Sequence, residues 1–453
     1  MGKLILTNAT VVTMNPQWDI LYDQAVLIQD DRIAELGPAE QVERTCAVDV
    51  PRVDLTGQIV FPGLINTHVH SFQTLLKGLE ADTELEHWLA RVITPVVTRI
   101  SKEQLRLGAV LSGLEAIRSG TTTVLDYQYI QYRPGMNDAA IAGYRELGLR
   151  LVLGRGYADT GVQFGANPGE LESLETIGAD IEDLVRRHHQ QGDGMVRIAL
   201  APSVVWMCTP ECLEWTRRTS HQHGLLVTIH VAETDFDNQC SLALHGRTDF
   251  GVCEAAGLVN DRLLMVHCVR LTDEEIRRAA DRGAAFSYNP VSNMYLASGC
   301  PPIPALKRSG MVCSLGTDGA ASNNTNDLLE TMKAGVLLAK AHTRDPASIS
   351  AMDILAWATC DGARALGMDR DIGSLEVGKK ADLFVFDPGA TAKSAYMHDP
   401  VATLVYSSDP RNIRSVLVDG RPVLWDGKLV NGDEEQLIDA ACRAARALGS
   451  EQH

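Results

Sequence analysis

Two histidines stand two residues apart in Asn66-Thr67-His68-Val69-His70, at the end of the first long apolar run. On an extended segment such residues face the same side, so both imidazoles can reach one cation. A histidine pair also arises by chance, and this one gains meaning from polar residues further down the chain. His230 with Glu233, then His267, then Asp318 each close or come just after a later apolar run. Three neutral imidazoles and one carboxylate suit Zn²⁺, with Fe²⁺ or Mn²⁺ as alternatives. His68, His70, His230 and Asp318 are assigned as ligands of one divalent metal ion. The run Met195-Val196-Arg197-Ile198-Ala199-Leu200-Ala201 holds no lysine that carboxylation could turn into a bridge between two ions. That argues for a single metal.

A metal ion lowers the pKa of its water to about 7. Glu233 is read as the carboxylate that takes the water's proton and hands it to a substrate ring nitrogen. His267 is expected to hydrogen-bond the attacking hydroxide or the developing oxyanion. Asp318 is expected to receive the nucleophile's second proton. Each has a plainer alternative: a first-turn helix carboxylate for Glu233, a backbone-bonded core histidine for His267. Recurrence at four strand ends favours the chemistry.

Residues this far apart in sequence need a fold that gathers strand ends at one mouth. Eight strand candidates lie at 58–67, 122–126, 149–153, 195–201, 225–230, 263–267, 284–288 and 312–317. Amphipathic helical stretches, such as 102–119, 212–223 and 273–282, alternate with them. Alternation over roughly 250 residues or more indicates an α/β barrel, whose active site lies at the carboxyl ends of its strands. An open doubly wound sheet is the runner-up, and its Gly-x-Gly-x-x-Gly fingerprint is absent. Residues 1–58 read as short strands (4–8, 25–28, 32–36) with a turn at Asp30-Asp31. A helix over 351–367 is succeeded by further short strands, including 401–406 and 415–418, and by an alanine- and arginine-rich helix over 434–449. Strand texture at both ends predicts one small β domain built from both chain termini.

The chain has 453 residues, 45% of them hydrophobic, and a formal charge of −17. That balance disfavours nucleic acid and anionic membrane surfaces as partners. No run of 18 apolar residues is present, so no transmembrane helix is expected. The start reads as a strand and not as a signal peptide, and Leu6 stands where myristoylation needs Ser or Thr. The ten cysteines are scattered and form no Cys-x-x-Cys. Free thiols in a reducing cytoplasm are the expected reading, and Cys208 with Cys212 lacks a second pair of soft ligands nearby.

Several motifs carry a resemblance. They are Phe61-Pro62-Gly63-Leu64-Ile65-Asn66-Thr67-His68-Val69-His70, Ser119-Gly120-Thr121-Thr122-Thr123, His230-x-x-Glu233 and His267-Cys268. Further ones are Val291-Ser292-Asn293-Met294-Tyr295-Leu296-Ala297-Ser298-Gly299, Gly316-Thr317-Asp318-Gly319-Ala320-Ala321-Ser322-Asn323-Asn324 and Gly373-Ser374-Leu375-Glu376-Val377-Gly378-Lys379-Lys380-Ala381-Asp382-Leu383. Together they resemble the amidohydrolase superfamily. The branch is that of s-triazine chlorohydrolases, S-adenosylhomocysteine/methylthioadenosine deaminases and 8-oxoguanine deaminases. The resemblance implies an α/β fold: a (β/α)8 TIM-type barrel over 59–367, with a small β-sandwich domain from 1–58 and 368–453. It also implies one catalytic metal, hydrolysis at a ring carbon and a homo-oligomer.

Trp88 matches a tryptophan of the nucleoside-deaminating relatives. Where they place a ribose-binding Glu nine residues on, this chain has Val97, and where they have Pro-His it has Pro202-Ser203. A site built to bond a hydroxyl discriminates strongly, so these changes argue against a nucleoside. Gln73 offers a donor and an acceptor to a ring amide. Arg155 is a candidate contact to a ring carbonyl or an anionic substituent, and Trp206, like Trp88, is a candidate stacking partner. The expected activity is hydrolytic deamination of an aminated aromatic N-heterocycle, of oxopurine, pterin or s-triazine type. S-adenosylhomocysteine-like nucleosides are the alternative substrates, and displacement of chloride or an alkylamine would use the same groups. A non-catalytic scaffold is disfavoured because every ligand and the proton shuttle are present.

Overall fold

The computed structural model describes residues 2–47 and 49–450. Eight parallel strands stand side by side in chain order: β1 (Leu64–Val69), β2 (Thr121–Gln128), β3 (Arg150–Tyr157), β4 (Val196–Pro202), β5 (Val227–Val231), β6 (Leu263–His267), β7 (Ala285–Tyr288) and β8 (Val312–Leu315). Parallel neighbours require long crossovers, and helices such as Lys102–Arg118, Leu174–His188 and Pro210–His223 supply them. β1, β2 and β3 are buried at every position, as strands between a packed interior and a helical ring must be. Side chains close the gap between β8 and β1. Thr67 Oγ1 lies 2.9 Å from Ser314 Oγ and donates to the Leu315 carbonyl, and Asn66 Nδ2 donates to Thr317 Oγ1 at 2.8 Å. The Asp318 N–H donates to the His68 carbonyl at 2.9 Å, which brings two candidate ligands together through the backbone. The result is a nearly closed α/β barrel.

Both termini contribute to a second, mixed sheet. Its strands Lys3–Val12, Ile20–Gln29, Arg32–Pro38, Arg52–Asp54 and Ile59–Pro62 precede the barrel, and Leu383–Phe386, Ile413–Val418, Arg421–Trp425 and Lys428–Leu429 come after it. The two ends meet where Ile59–Pro62 pairs antiparallel with Leu383–Phe386, with Phe61 stacked on Phe384. Leu6, Val26, Val60, Leu383 and Leu417 share one apolar core. The barrel is pinned to this sheet by Arg150 at the start of β3. Its buried guanidinium donates to both oxygens of Asp382, at 2.9 and 3.0 Å, and to Asp419 at 3.2 Å.

Three segments differ from the sequence reading. The run 58–67 is two strands in two sheets, not one. The chain crosses between them at Gly63, where a Cβ would stand 2.1 Å from Thr122 Oγ1. The helix expected over 351–367 is two, Ala351–Trp357 and Cys360–Ala365. Thr359 between them leaves helical geometry (φ −134°, ψ −98°), and the Ala358 carbonyl is taken by the Ile65 N–H of β1. Residues 401–406 belong to the helix Pro400–Ser407 and not to a strand. Asp399 caps it, Pro400 stands in its first turn, and Val401, Leu404 and Val405 are buried at helical spacing.

Candidate active site

The strand ends converge. His68 is on β1 and His70 lies just beyond it, His230 is on β5, His267 ends β6, and Asp318 lies beyond β8. The imidazoles of His68 and His70 are 4.7 Å apart between centroids, and those of His68 and His230 are 4.9 Å apart. The Nε2 atoms of His68 and His70 each lie 3.3 Å from Asp318 Oδ1. Nδ1 of His70 is 2.8 Å from the Tyr127 carbonyl, and Nδ1 of His230 is 2.7 Å from the Ser203 carbonyl. A carbonyl only accepts, so both rings carry their proton on Nδ1 and turn a bare Nε2 inward.

Neither ring nitrogen of buried His68 has a hydrogen-bond partner. A native interior does not leave such atoms idle. Ligand atoms of His68, His70 and Asp318 lie within 4.8 Å of one another, as do those of His68, His230 and His267. The electrostatics agree. Burial, and the repulsion of the neighbouring imidazoles, lower His70 to about 3 and hold His230 well below its usual range. Burial acts to raise Asp318, but the imidazole of His68, its Nε2 3.3 Å away, outweighs it with the help of His267 and His70, and the carboxyl is held well below the usual range. Neutral imidazoles around an ionised carboxylate form a donor set that fits a divalent metal ion. Among the described residues, no such group contains a cysteine.

Beside this cluster stands a second group. His267 Nδ1 is 2.9 Å from Asn293 Oδ1, and its Nε2 lies 3.4 Å from Glu233 Oε2 and 3.8 Å from Asp318 Oδ2. Ser298 Oγ donates to Glu233 Oε1 at 2.9 Å. Burial pushes Glu233 up to about 7. Burial acts to lower His267, and the charges of Glu233 and Asp318 raise it above its usual value. The backbone is strained where it delivers these groups: Ala232, His267, Cys268 and Asp318 all have φ between 50° and 69°. The Ala232 turn is clamped from both sides. Its N–H donates to Asp249 Oδ2 at 2.8 Å, and its carbonyl accepts from the Arg270 N–H at 2.9 Å.

These groups form the floor of a cleft that opens to solvent. Gln73, Trp88 and Trp206, three of the residues named from the sequence as substrate contacts, line it. Gln73 Nε2 donates to the Tyr129 hydroxyl at 3.1 Å, and its buried Oε1 has no partner. Gly319 makes room for this amide, since a Cβ there would meet Oε1 at 1.9 Å. Trp206 is held by a 3.0 Å bond from Nε1 to Asp237 Oδ1 and packs edge-on against Phe236.

Arg155 is not among the lining residues. Its buried guanidinium is taken by Glu172 and by Asp180 at 2.8 Å, so the expected substrate contact gives way to a structural ion-pair network. Val97 is buried and does not line the cleft, whereas Ser203 does. The absence of a carboxylate at 97 therefore says little about a sugar. Asn293 and Ser298 belong to the stretch Val291–Gly299, and sequence reasoning gives neither a role. Their signal is position in that motif; their partners become visible only in three dimensions.

A parallel α/β barrel with buried histidines and an aspartate gathered at its carboxyl-terminal mouth defines a metal-hydrolase scaffold. The chain belongs to the amidohydrolase family, whose family model matches residues 59–423. It is 34% identical to a 5'-deoxyadenosine deaminase of Methanopyrus kandleri over 95% of this chain and 96% of that protein. Among solved structures, it resembles an adenosine deaminase of Xanthomonas campestris with bound zinc (TM-score 0.91, 30% identity, 99% of each chain covered). It also resembles an atrazine chlorohydrolase of Arthrobacter aurescens complexed with zinc (TM-score 0.91, 26% identity, 98% of this chain and 100% of that one).

Proposed function

We propose that this hydrolase is a deaminase of aminated purines, with adenosine-type nucleosides ranked ahead of free oxopurines, pterins and s-triazines. The observation that carries the reading is the placement of Glu233. It is a carboxyl raised to about 7, hydrogen-bonded by Ser298 and 3.4 Å from His267, at the floor of an aromatic-walled cleft beside the histidine cluster. The nucleoside ranking reverses the expectation from Val97. It is supported by the relatives named for adenosine-type substrates and by the burial of Val97 away from the cleft.

His68, His70, His230 and Asp318 would hold the metal ion, zinc ahead of iron or manganese. Such an ion supplies Lewis-acid activation of a water molecule. Glu233 accepts a proton from the attacking water and delivers it to the ring nitrogen next to the amine-bearing carbon. His267, its Nδ1–H engaged by Asn293 and its ring held protonated by the charges of Glu233 and Asp318, donates Nε2–H to the oxygen that gains charge as the carbon becomes tetrahedral. Asp318 receives the second proton of the water, and that proton leaves with the amine as ammonia. Gln73 meets the ring edge with its free carbonyl oxygen, and Trp88 and Trp206 flank the ring faces.

A second reading, displacement of chloride or alkylamine from an s-triazine, is supported by the likeness to atrazine chlorohydrolase. Ammonia release from the zinc-loaded protein decides between them. The panel is 5'-deoxyadenosine, adenosine, methylthioadenosine, guanine, 8-oxoguanine, isoxanthopterin and chlorinated and aminated s-triazines. Turnover of the nucleosides is expected. Turnover of the free heterocycles alone would put oxopurines, pterins and s-triazines ahead of nucleosides, and chloride release without ammonia would replace the deaminase reading.

A further inference from the structure

Among the described residues lining the cleft there are five carboxylates and no lysine or arginine. Glu233 and Asp318 belong to the floor. Asp237 is engaged by Trp206 and by the N–H and hydroxyl of Thr234, both at 2.8 Å. Glu86 is exposed at the rim. Glu170 fits none of these descriptions. It ends the short turn Pro168–Glu170 in the loop after β3, which Asn167 ties to the Thr94 carbonyl at 3.5 Å. Burial pushes its carboxyl up to about 7, hydrogen bonding from the Asn167 backbone offsets this in part, and no cation contributes.

Glu170 also shares its surroundings with the reacting groups. Glu170 and Tyr129 line the same cleft as His70, Glu233 and Asp318. Tyr129 in turn accepts the hydrogen bond from Gln73. A ring seated over Glu233 and Gln73 leaves its substituent to the rest of the cleft lining, to which Ile93, Thr94, Ala166 and Glu170 belong. A half-buried carboxylate without a cationic partner is unfavourable alone and becomes favourable when a ligand brings a donor or a positive charge. The same group repels an anion, and with Glu86 and Asp237 nearby nothing in the wall compensates.

We infer that Glu170 is a specificity-determining residue. It accepts hydrogen bonds from a neutral donor or cationic group at the sugar end of the substrate, and it excludes substrates that carry a carboxylate or phosphate there. This rests on the deaminase reading for the choice of probes and deepens it. Adenosine-type substrates with an uncharged or aminated 5' end are admitted, and 5'-anionic ones are rejected.

The test is binding, which does not require turnover. Affinities of the zinc-loaded protein for 5'-amino-5'-deoxyadenosine, 5'-deoxyadenosine and adenosine-5'-carboxylic acid are measured by calorimetry, for wild type and Glu170→Gln. In the wild type, the amine is expected to bind at least about 100-fold more tightly than the carboxylate, a difference in the range one close charge contact supplies. Glu170→Gln is expected to reduce that ratio to below about tenfold. Equal or inverted affinities in the wild type overturn the inference whether or not the variant folds, as does an unchanged ratio in the variant or the failure of all three probes to bind. Selective binding without ammonia release from 5'-deoxyadenosine would instead defeat the deaminase reading and leave the role of Glu170 standing.

Discussion

Asn293 Oδ1 lies 2.9 Å from His267 Nδ1, and both side chains are buried. The amide acceptor holds the proton on Nδ1 and aims Nε2 at Glu233 and Asp318. Asn293→Leu removes that acceptor and keeps the volume. It is expected to lower kcat by about 10- to 100-fold with metal content unchanged. Glu233→Gln is expected to cost at least about 10²- to 10⁴-fold, again with metal retained. Steady-state kinetics with metal analysis of the same samples checks both. Near-normal turnover in Glu233→Gln would remove it from the proton path.

The unpartnered nitrogens of His68 make the metal a contributor to stability as well as to chemistry. Chelation and then desalting is expected to lower the Tm, and added Zn²⁺ is expected to restore it in a concentration-dependent way. A Tm indifferent to both treatments would count against these four residues as a ligand set.

Arg155 should report on folding rather than on substrate. Arg155→Met leaves Glu172 and Asp180 without their cation and is expected to destabilise the fold by about 3–5 kcal/mol. KM for the preferred nucleoside should change less than about twofold, since ground-state contacts are what KM reports. A large rise in KM with an unchanged denaturant midpoint would return Arg155 to the substrate site.

Asp126 on β2 is buried and accepts from the N–H of Ser71, at 3.1 Å, and from its hydroxyl. Burial raises its carboxyl to about 6, although the Ser71 bonds pull the other way. Between about pH 4 and 6 the folded chain keeps a proton that the unfolded chain releases, so this group makes stability fall as pH rises through that window. Asp126→Asn is expected to remove that fall. Its unfolding free energy relative to wild type should improve by about 3 kcal/mol between pH 4 and 7. Urea titrations across that range check it, and parallel curves for the two proteins would contradict it.

Much of this site was legible in the chain. His68, His70, His230, His267 and Asp318 sit at the ends of apolar runs, and the barrel places strand ends at one mouth. Glu233 was within reach of the same argument through its spacing from His230. The barrel class came from the alternation of strands and helices, and the composite sheet from strand texture at both ends. These are local signals, set by side-chain periodicity and by what ends a strand.

Direction and partnership were not local. Period-two alternation puts Leu153, Arg155 and Tyr157 on one face of β3 but does not say which face meets the cleft. Packing against Leu174–His188 decided it, and Arg155 went to Asp180. The crossing at Gly63, the split at Thr359 and the burial of Val97 likewise depend on neighbours more than ten residues away: Thr122, Ile65 and the barrel wall. The sequence by itself determined which residues could bind a metal and move a proton, because that is a property of residue type and strand position. The tertiary structure alone decided which carboxylates are paired with a cation and which, like Glu170, face the cleft without one, because pairing depends on side-chain positions that only the closed barrel sets.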